Sequence, residues 1–146
     1  MTVVSTFRVQ VGTPVLLGDD GFGQARIVPI LGGSADGPCL TGRILAGGAD
    51  EQRIRADGLT CVHARYVIEA DDGALIRVDS QGLRSGPPEV MAALLAGQSV
   101  DPAQVYFRTV IRFETASPHY AALMSRLYLA AGERQQAEVV LRLSVI

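Results

Sequence analysis

Apolar and polar positions alternate with a period of two over most of the chain, which is the pattern of half-buried strands. It is clearest from Thr60 to Ser80. There Val62, Ala64, Tyr66 and Ile68 alternate with His63, Arg65, Val67 and Glu69, and Ala74, Ile76 and Val78 alternate with Leu75, Arg77 and Asp79. Asp71-Asp72-Gly73 between the two runs supplies the left-handed backbone of a tight hairpin. This hairpin is expected at the centre of an antiparallel sheet.

Further strands are expected at Phe7–Val11, Val15–Leu17, Arg26–Leu31, Leu40–Ala46, Glu51–Arg55, Val105–Thr115, Leu127–Ala131 and Val139–Ile146. Pro29 suggests an edge or a bulge in its run. Gly32 to Pro38 is the longest turn-like stretch, and its G-G-x-x-x-G order does not match a dinucleotide fingerprint. One helix stands out at Pro87–Gly97, with proline at its start, Glu89 in the first turn and glycine as a stop. A shorter helical turn is expected after Ser117-Pro118. An open sheet this long curls or splits, and closure removes its exposed edges. The fold class expected is therefore mainly β: one domain over residues 1–146, a closed antiparallel β-barrel of about eight to ten strands with one inserted helix.

Composition narrows the chemistry. The 146 residues carry a net charge of −2 with no basic stripe, which argues against a nucleic-acid partner. Every basic side chain other than histidine is arginine, so Schiff-base chemistry on a lysine and a Walker-type phosphate lysine are excluded. There is no Asn, so a Cys-His-Asn catalytic set is excluded. The start of the chain has no basic n-region or long apolar run, so neither a signal peptide nor a membrane partner is indicated. The two cysteines, Cys39 and Cys61, suit a reducing cytoplasm and are expected as small buried apolar residues. No histidine or cysteine spacing matches a zinc pattern, so no metal and no cofactor is expected.

Three groups of residues are candidates for chemistry. Asp50 follows Gly47-Gly48-Ala49 at a strand end, where a side chain can be re-aimed, and is the leading acid or base. Tyr106, Arg108, Arg112 and Glu114 share one strand face. That face is either a solvated exterior or, in part, the wall of a pocket in which Glu114 and Tyr106 act as catalytic groups and Arg108 anchors an oxygen. Arg65 and His63 pose the same question on the central hairpin, and Tyr66 or Tyr106 could donate a proton.

These segments together resemble the UPF0311 family, the domain of unknown function 3237. The resemblance is carried by Arg26-Ile27-Val28-Pro29-Ile30 with Gly32-Gly33, Thr41-Gly42-Arg43, Gly47-Gly48-Ala49-Asp50, Ala64-Arg65-Tyr66, Gly86-Pro87-Pro88-Glu89, Tyr106-Phe107-Arg108-Thr109 and Phe113-Glu114-Thr115. It spans nearly the whole chain and implies a compact β-barrel without a settled activity. The chain departs from the family pattern at Glu51, where Trp is frequent, at His63, where Asp is frequent, and around Met124, where the family pattern is Ala-Trp-Leu-Asn. If these positions border one cavity, that cavity is larger and more apolar than in relatives.

The function expected is a cofactor-independent enzyme of isomerase, cyclase or lyase type acting on a largely apolar small molecule in an apolar barrel pocket with a few convergent polar groups. Asp50, Glu114 and Tyr106 are its candidate catalytic residues. Arg65, Arg108, Tyr66, His63, Glu51 and Met124 are its candidate substrate contacts. The alternative is a carrier barrel without chemistry, which predicts a pocket lined by apolar groups alone. A homodimer is a third reading.

Overall fold

The computed structural model describes residues 2–146. In chain order the strands are β1 (Ser5–Val11), β2 (Val15–Asp19), β3 (Gln24–Asp36), β4 (Gly42–Ile44), β5 (Ala49–Ile54), β6 (Thr60–Ala70), β7 (Leu75–Ser85), β8 (Tyr106–Thr115), β9 (Tyr128–Arg134) and β10 (Glu138–Val145). Helix α1 (Pro88–Leu95) lies between β7 and β8, and 3-10 turns cover Pro102–Gln104 and Pro118–Ser125. All pairings are antiparallel. The sheet runs β1-β10-β9-β8-β7-β6 and reaches β3 through both β4 and β5; β1 then pairs with β3 and closes it.

The barrel thus has eight staves, one of them made of two short strands in tandem. β4 pairs Gly33–Ala35 of β3, and β5 pairs Gln24–Pro29. The opposite edge of β3 is shared in the same way, with β1 pairing Ile30–Asp36 and β2 pairing Gln24–Ile27. Pro29, which has no N–H to donate, sits where both partners change. It is a junction within a long strand rather than an edge. β2 runs past the barrel rim and has no partner on its far side.

The stretch Gly32–Asp36, expected as turn, is strand. Its glycines serve close approach instead. A Cβ on Gly33 would collide with the Arg8 carbonyl oxygen, where β1 seals the barrel against β3, and Gly33 has φ of 137°. The central hairpin is as expected: β6 and β7 pair from Thr60↔Arg84 to Glu69↔Leu75 around Gly73, whose φ is 87°. The segment after Pro118 is a 3-10 helix, with Leu123 packed into the core cluster.

Even-numbered residues of β5, β6 and β7 point inward, as do those of β3 up to Ile30, and odd-numbered residues of β1, β8 and β10; in β3 the parity switches past the irregularity at Leu31, so that Ala35 faces the core and Ser34 and Asp36 face out. Toward the hairpin end the interior is solid hydrocarbon: Phe7, Ile68, Ile76, Ile111, Phe113 and Leu143 are at most 3% exposed. Phe113 makes edge-on contacts with Phe7 and Tyr128. At the opposite end Met91 of α1 is fully buried against Gly58, just ahead of β6. Cys39 is half-buried, but Cys61, expected as a buried residue, is exposed because it shares the outward parity of His63. No helix among the described residues is long and apolar enough to cross a membrane.

Candidate active site in the barrel lumen

At the end remote from the β6–β7 turn, the interior becomes polar. Strand register brings the groups together. Arg26 of β3 stands opposite Gln52 of β5, and Val28 opposite Asp50. Across β5, Gln52 faces Val62 and Asp50 faces Ala64 of β6. Arg84 of β7 pairs with Phe107 of β8, and Arg134 of β9 with Val139 of β10. A lumen of about 50 Å³ lies between them, its wall also including Val9, Ile30, Tyr66, Leu141 and the hydroxyl residues Ser80 and Thr109. Common ligand pockets hold roughly 300–1,000 Å³. This one therefore admits a very small molecule or one end of a larger one.

Asp50 is held at both oxygens. The Gln52 amide donates to Oδ2 at 2.7 Å, and the His63 backbone N–H donates to Oδ1 at 3.0 Å. Gln52 is itself oriented by Arg26, whose Nε donates to Oε1 at 2.7 Å. That contact fixes which end of the Gln52 amide faces Asp50. Burial pushes the Asp50 carboxyl above the usual carboxylate range; the Gln52 hydrogen bond, the positive field of Arg84 and the His63 N–H pull the other way without cancelling it.

Arg84 is 2% exposed, with its guanidinium 5.4 Å from the Phe107 ring centre. Burial lowers its pKa to about 10, with Asp50 opposing that fall and Arg26 and Arg134 adding to it. Tyr66 is 3% exposed, and its hydroxyl is driven upward first by burial and then by the charge of Asp50. Three buried side-chain polar atoms lack a hydrogen-bond partner among the described residues: Tyr66 Oη, Arg84 Nε and Arg84 Nη2. All three belong to side chains that line this lumen. A native fold rarely leaves such groups unmatched without a functional reason. Arg134 satisfies one amine on the Gln135 carbonyl at 2.7 Å. The surface ion pairs of the protein leave out Arg26, Arg84, Arg134 and Asp50 altogether.

Of the residues singled out in the sequence, Asp50 and Tyr66 meet in the lumen. The others stand on the outer surface. Tyr106 is 56% exposed, and Arg108 lies over its ring and donates to the Phe107 carbonyl at 2.9 Å. Glu114 is exposed on the same strand face. His63 and Arg65 both reach Asp79 on β7, at 3.1 and 3.2 Å. Their hydrogen bonds outweigh partial burial and hold that carboxyl below its usual range. Glu51 pairs with His63 in register on the outside, and Met124 accepts from the Thr115 N–H at 3.4 Å. The departures from the family pattern at Glu51, His63 and Met124 therefore do not widen the lumen, which is small and carries three guanidiniums.

Arg26, Gln52, Arg84 and Arg134 went unrecognised in the sequence. The signal was parity: each sits on the inward period of its strand, in step with Val28 and Ile30, with Asp50, with Val78 and Ser80, and with Tyr128 and Ala130 respectively. A charged residue on an apolar face marks a site. Wider clefts exist outside, one of them over β5–β7 beside Cys61, His63, Gln81 and Leu83. That one is an open groove lined by neither Tyr66 nor Arg84.

A family model described as protein of unknown function (DUF3237) matches residues 1–146. A UPF0311 protein of Rhodopseudomonas palustris is 41% identical over 138 residues, which is 94% of this chain and 90% of the relative. The crystal structure of a conserved protein of unknown function from Rhodopseudomonas palustris superposes with a TM-score of 0.93 at 39% identity, covering 99% of this chain and 95% of that one. An enzyme from Penicillium herquei shares the fold at a TM-score of 0.70 and 17% identity, over 98% and 92% of the two chains.

Proposed function

This chain belongs to the DUF3237 family of proteins of unknown function, and from its lumen we propose that it is a cofactor-independent enzyme that moves a proton next to a carbonyl group of a small molecule, as an isomerase or lyase does. The observation that carries this reading is the pairing of a half-buried, tethered Asp50 with an unmatched Tyr66 hydroxyl in one cavity. A carboxylate whose pKa is raised is a better base toward a weakly acidic C–H. Asp50 takes the proton from the carbon beside the carbonyl; the C–H electron pair forms a C=C bond as the C=O π pair moves onto the oxygen. Tyr66, whose phenol stays neutral, donates its O–H to the enolate oxygen. Return of the proton at a different carbon gives isomerisation. Loss of a leaving group from the next carbon gives elimination. The cationic role assigned to Arg65 or Arg108 in the sequence falls instead to Arg84.

The carrier alternative predicts an apolar lining, whereas this lumen holds Asp50, Gln52 and three arginines. The use of the same fold by the Penicillium herquei enzyme adds support at the level of fold only. The test is proton exchange of 2-oxobutyrate in D₂O, followed by ¹H NMR. Wild type is expected to exchange the C3 protons well above the buffer rate. Asp50→Asn should slow exchange by about 10²–10⁴-fold while still binding the compound. Exchange no faster than buffer, or undiminished in the variant, contradicts the proposal.

A further inference from the structure

We propose that the molecule entering the lumen carries a carboxylate, seated side-on against the Nε and Nη2 edge of Arg84. The idea rests on the lumen being the ligand site and adds the chemical class that site selects. Nε and Nη2 are the two guanidinium nitrogens whose N–H bonds leave the group in parallel from one edge, a fork that matches the two oxygens of a carboxylate. Those two atoms, and no other guanidinium atoms among the described residues, are both buried and without a partner. The remainder of the side chain is fixed: it is 2% exposed and lies over the Phe107 ring. The fork is therefore pre-formed and does not need to be ordered when a ligand arrives.

Charge points the same way. Arg26, Arg84 and Arg134 share the lumen with a single carboxylate, Asp50, which forms no ion pair with any of them. Arg26 is committed to Gln52, and Arg134 to the Gln135 carbonyl. They contribute field at the mouth, and the unmatched fork of Arg84 takes the anion. Polarity along the barrel fits as well, since Val9, Ile30 and Leu141 line the wall and suit an alkyl portion.

The experiment is an NMR titration of wild-type protein with butyrate, butyramide and inorganic phosphate, observing the Arg84 Nε–H resonance. Butyrate is expected to shift that resonance saturably and to bind at least tenfold more tightly than butyramide or phosphate. Arg84→Gln should abolish the preference for acid over amide, whereas Arg108→Gln, on the outer surface, should keep it. Equal binding of butyrate and butyramide overturns the inference, as does an unmoved Arg84 signal. Phosphate binding as tightly as butyrate overturns the carboxylate assignment. If Arg84→Gln does not fold, the three-ligand comparison on wild type decides alone. Butyrate held at Arg84 without any 2-oxobutyrate exchange would leave the carboxylate seat standing and remove the enzyme reading. Exchange of neutral 2-butanone as fast as 2-oxobutyrate would do the reverse.

Discussion

Asp50 and Arg84 line the same lumen with opposite charges, yet they form no ion pair. Each feels the other's field, which raises the pKa of Arg84 and lowers that of Asp50, but burial outweighs that attraction at both. Asp50 is tied to Gln52 and to the His63 N–H, so its carboxylate cannot turn fully toward the arginine. The separation keeps an unpaired cation and a raised base in one small space. That arrangement costs stability and suits a site that receives a charged, reactive ligand.

The cost can be measured at Arg84. Arg84→Met keeps length and apolar bulk while removing an unmatched buried cation, and replacing buried charges with hydrocarbon is often stabilising. Urea unfolding should show a gain on the order of 1 kcal/mol over wild type, together with loss of butyrate binding. Destabilisation by Arg84→Met would mean that the guanidinium has partners in solution that this structure does not show.

Asp50 should titrate above its ordinary value of 3.8 when its carboxyl carbon is followed by ¹³C NMR, and higher still in Arg84→Met, which removes an attractive charge. The sign for stability follows. With the folded pKa raised, the folded state holds the proton more tightly than the unfolded chain. The stabilisation that Asp50 provides is thus complete below pH 3.8 and is lost as pH rises through the folded value. Exchange of 2-oxobutyrate needs the ionised form, so it should rise over the same interval. An Asp50 midpoint at or below 3.8 would remove it as a tuned base.

Barrel closure is tested at Gly33. Gly33→Ala places a methyl group into the Arg8 carbonyl at φ of 137°, and unfolding free energy should fall by roughly 2–4 kcal/mol. Gly18→Ala is the control: its φ is 84° with nothing within 4 Å, so only the backbone term remains, about 1 kcal/mol. Equal losses at the two positions would argue against tight contact of β1 with β3.

The barrel was legible because strand alternation over Thr60–Ser80 and Tyr106–Thr115 survives intact in β6, β7 and β8. The run Gly32–Asp36 was not, because glycine signals a turn locally while here it permits close strand packing, a relationship set by a partner 25 residues away at Arg8. Asp50 was visible from its strand-end position. Arg26, Gln52, Arg84 and Arg134 converge only through register between β3, β5, β7 and β9, and register is a tertiary property that one chain's pattern does not reveal. The polar stripe on β8 drew attention because it was rich in charge, yet richness on the outward parity describes a wetted surface. The informative charges were isolated ones on the inward parity.

The central claim is that ligands enter the lumen and not an outer groove, and methyl-resolved NMR during a 2-oxobutyrate titration tests it most directly. The methyl groups of Val9, Val28, Ile30 and Leu141 line the lumen, and those of Leu17, Ile27, Leu83 and Val110 line the groove outside. The first set should shift with a common saturation curve while the second stays fixed. Shifts confined to Leu17, Ile27, Leu83 and Val110, with the inner methyls unmoved, would contradict it.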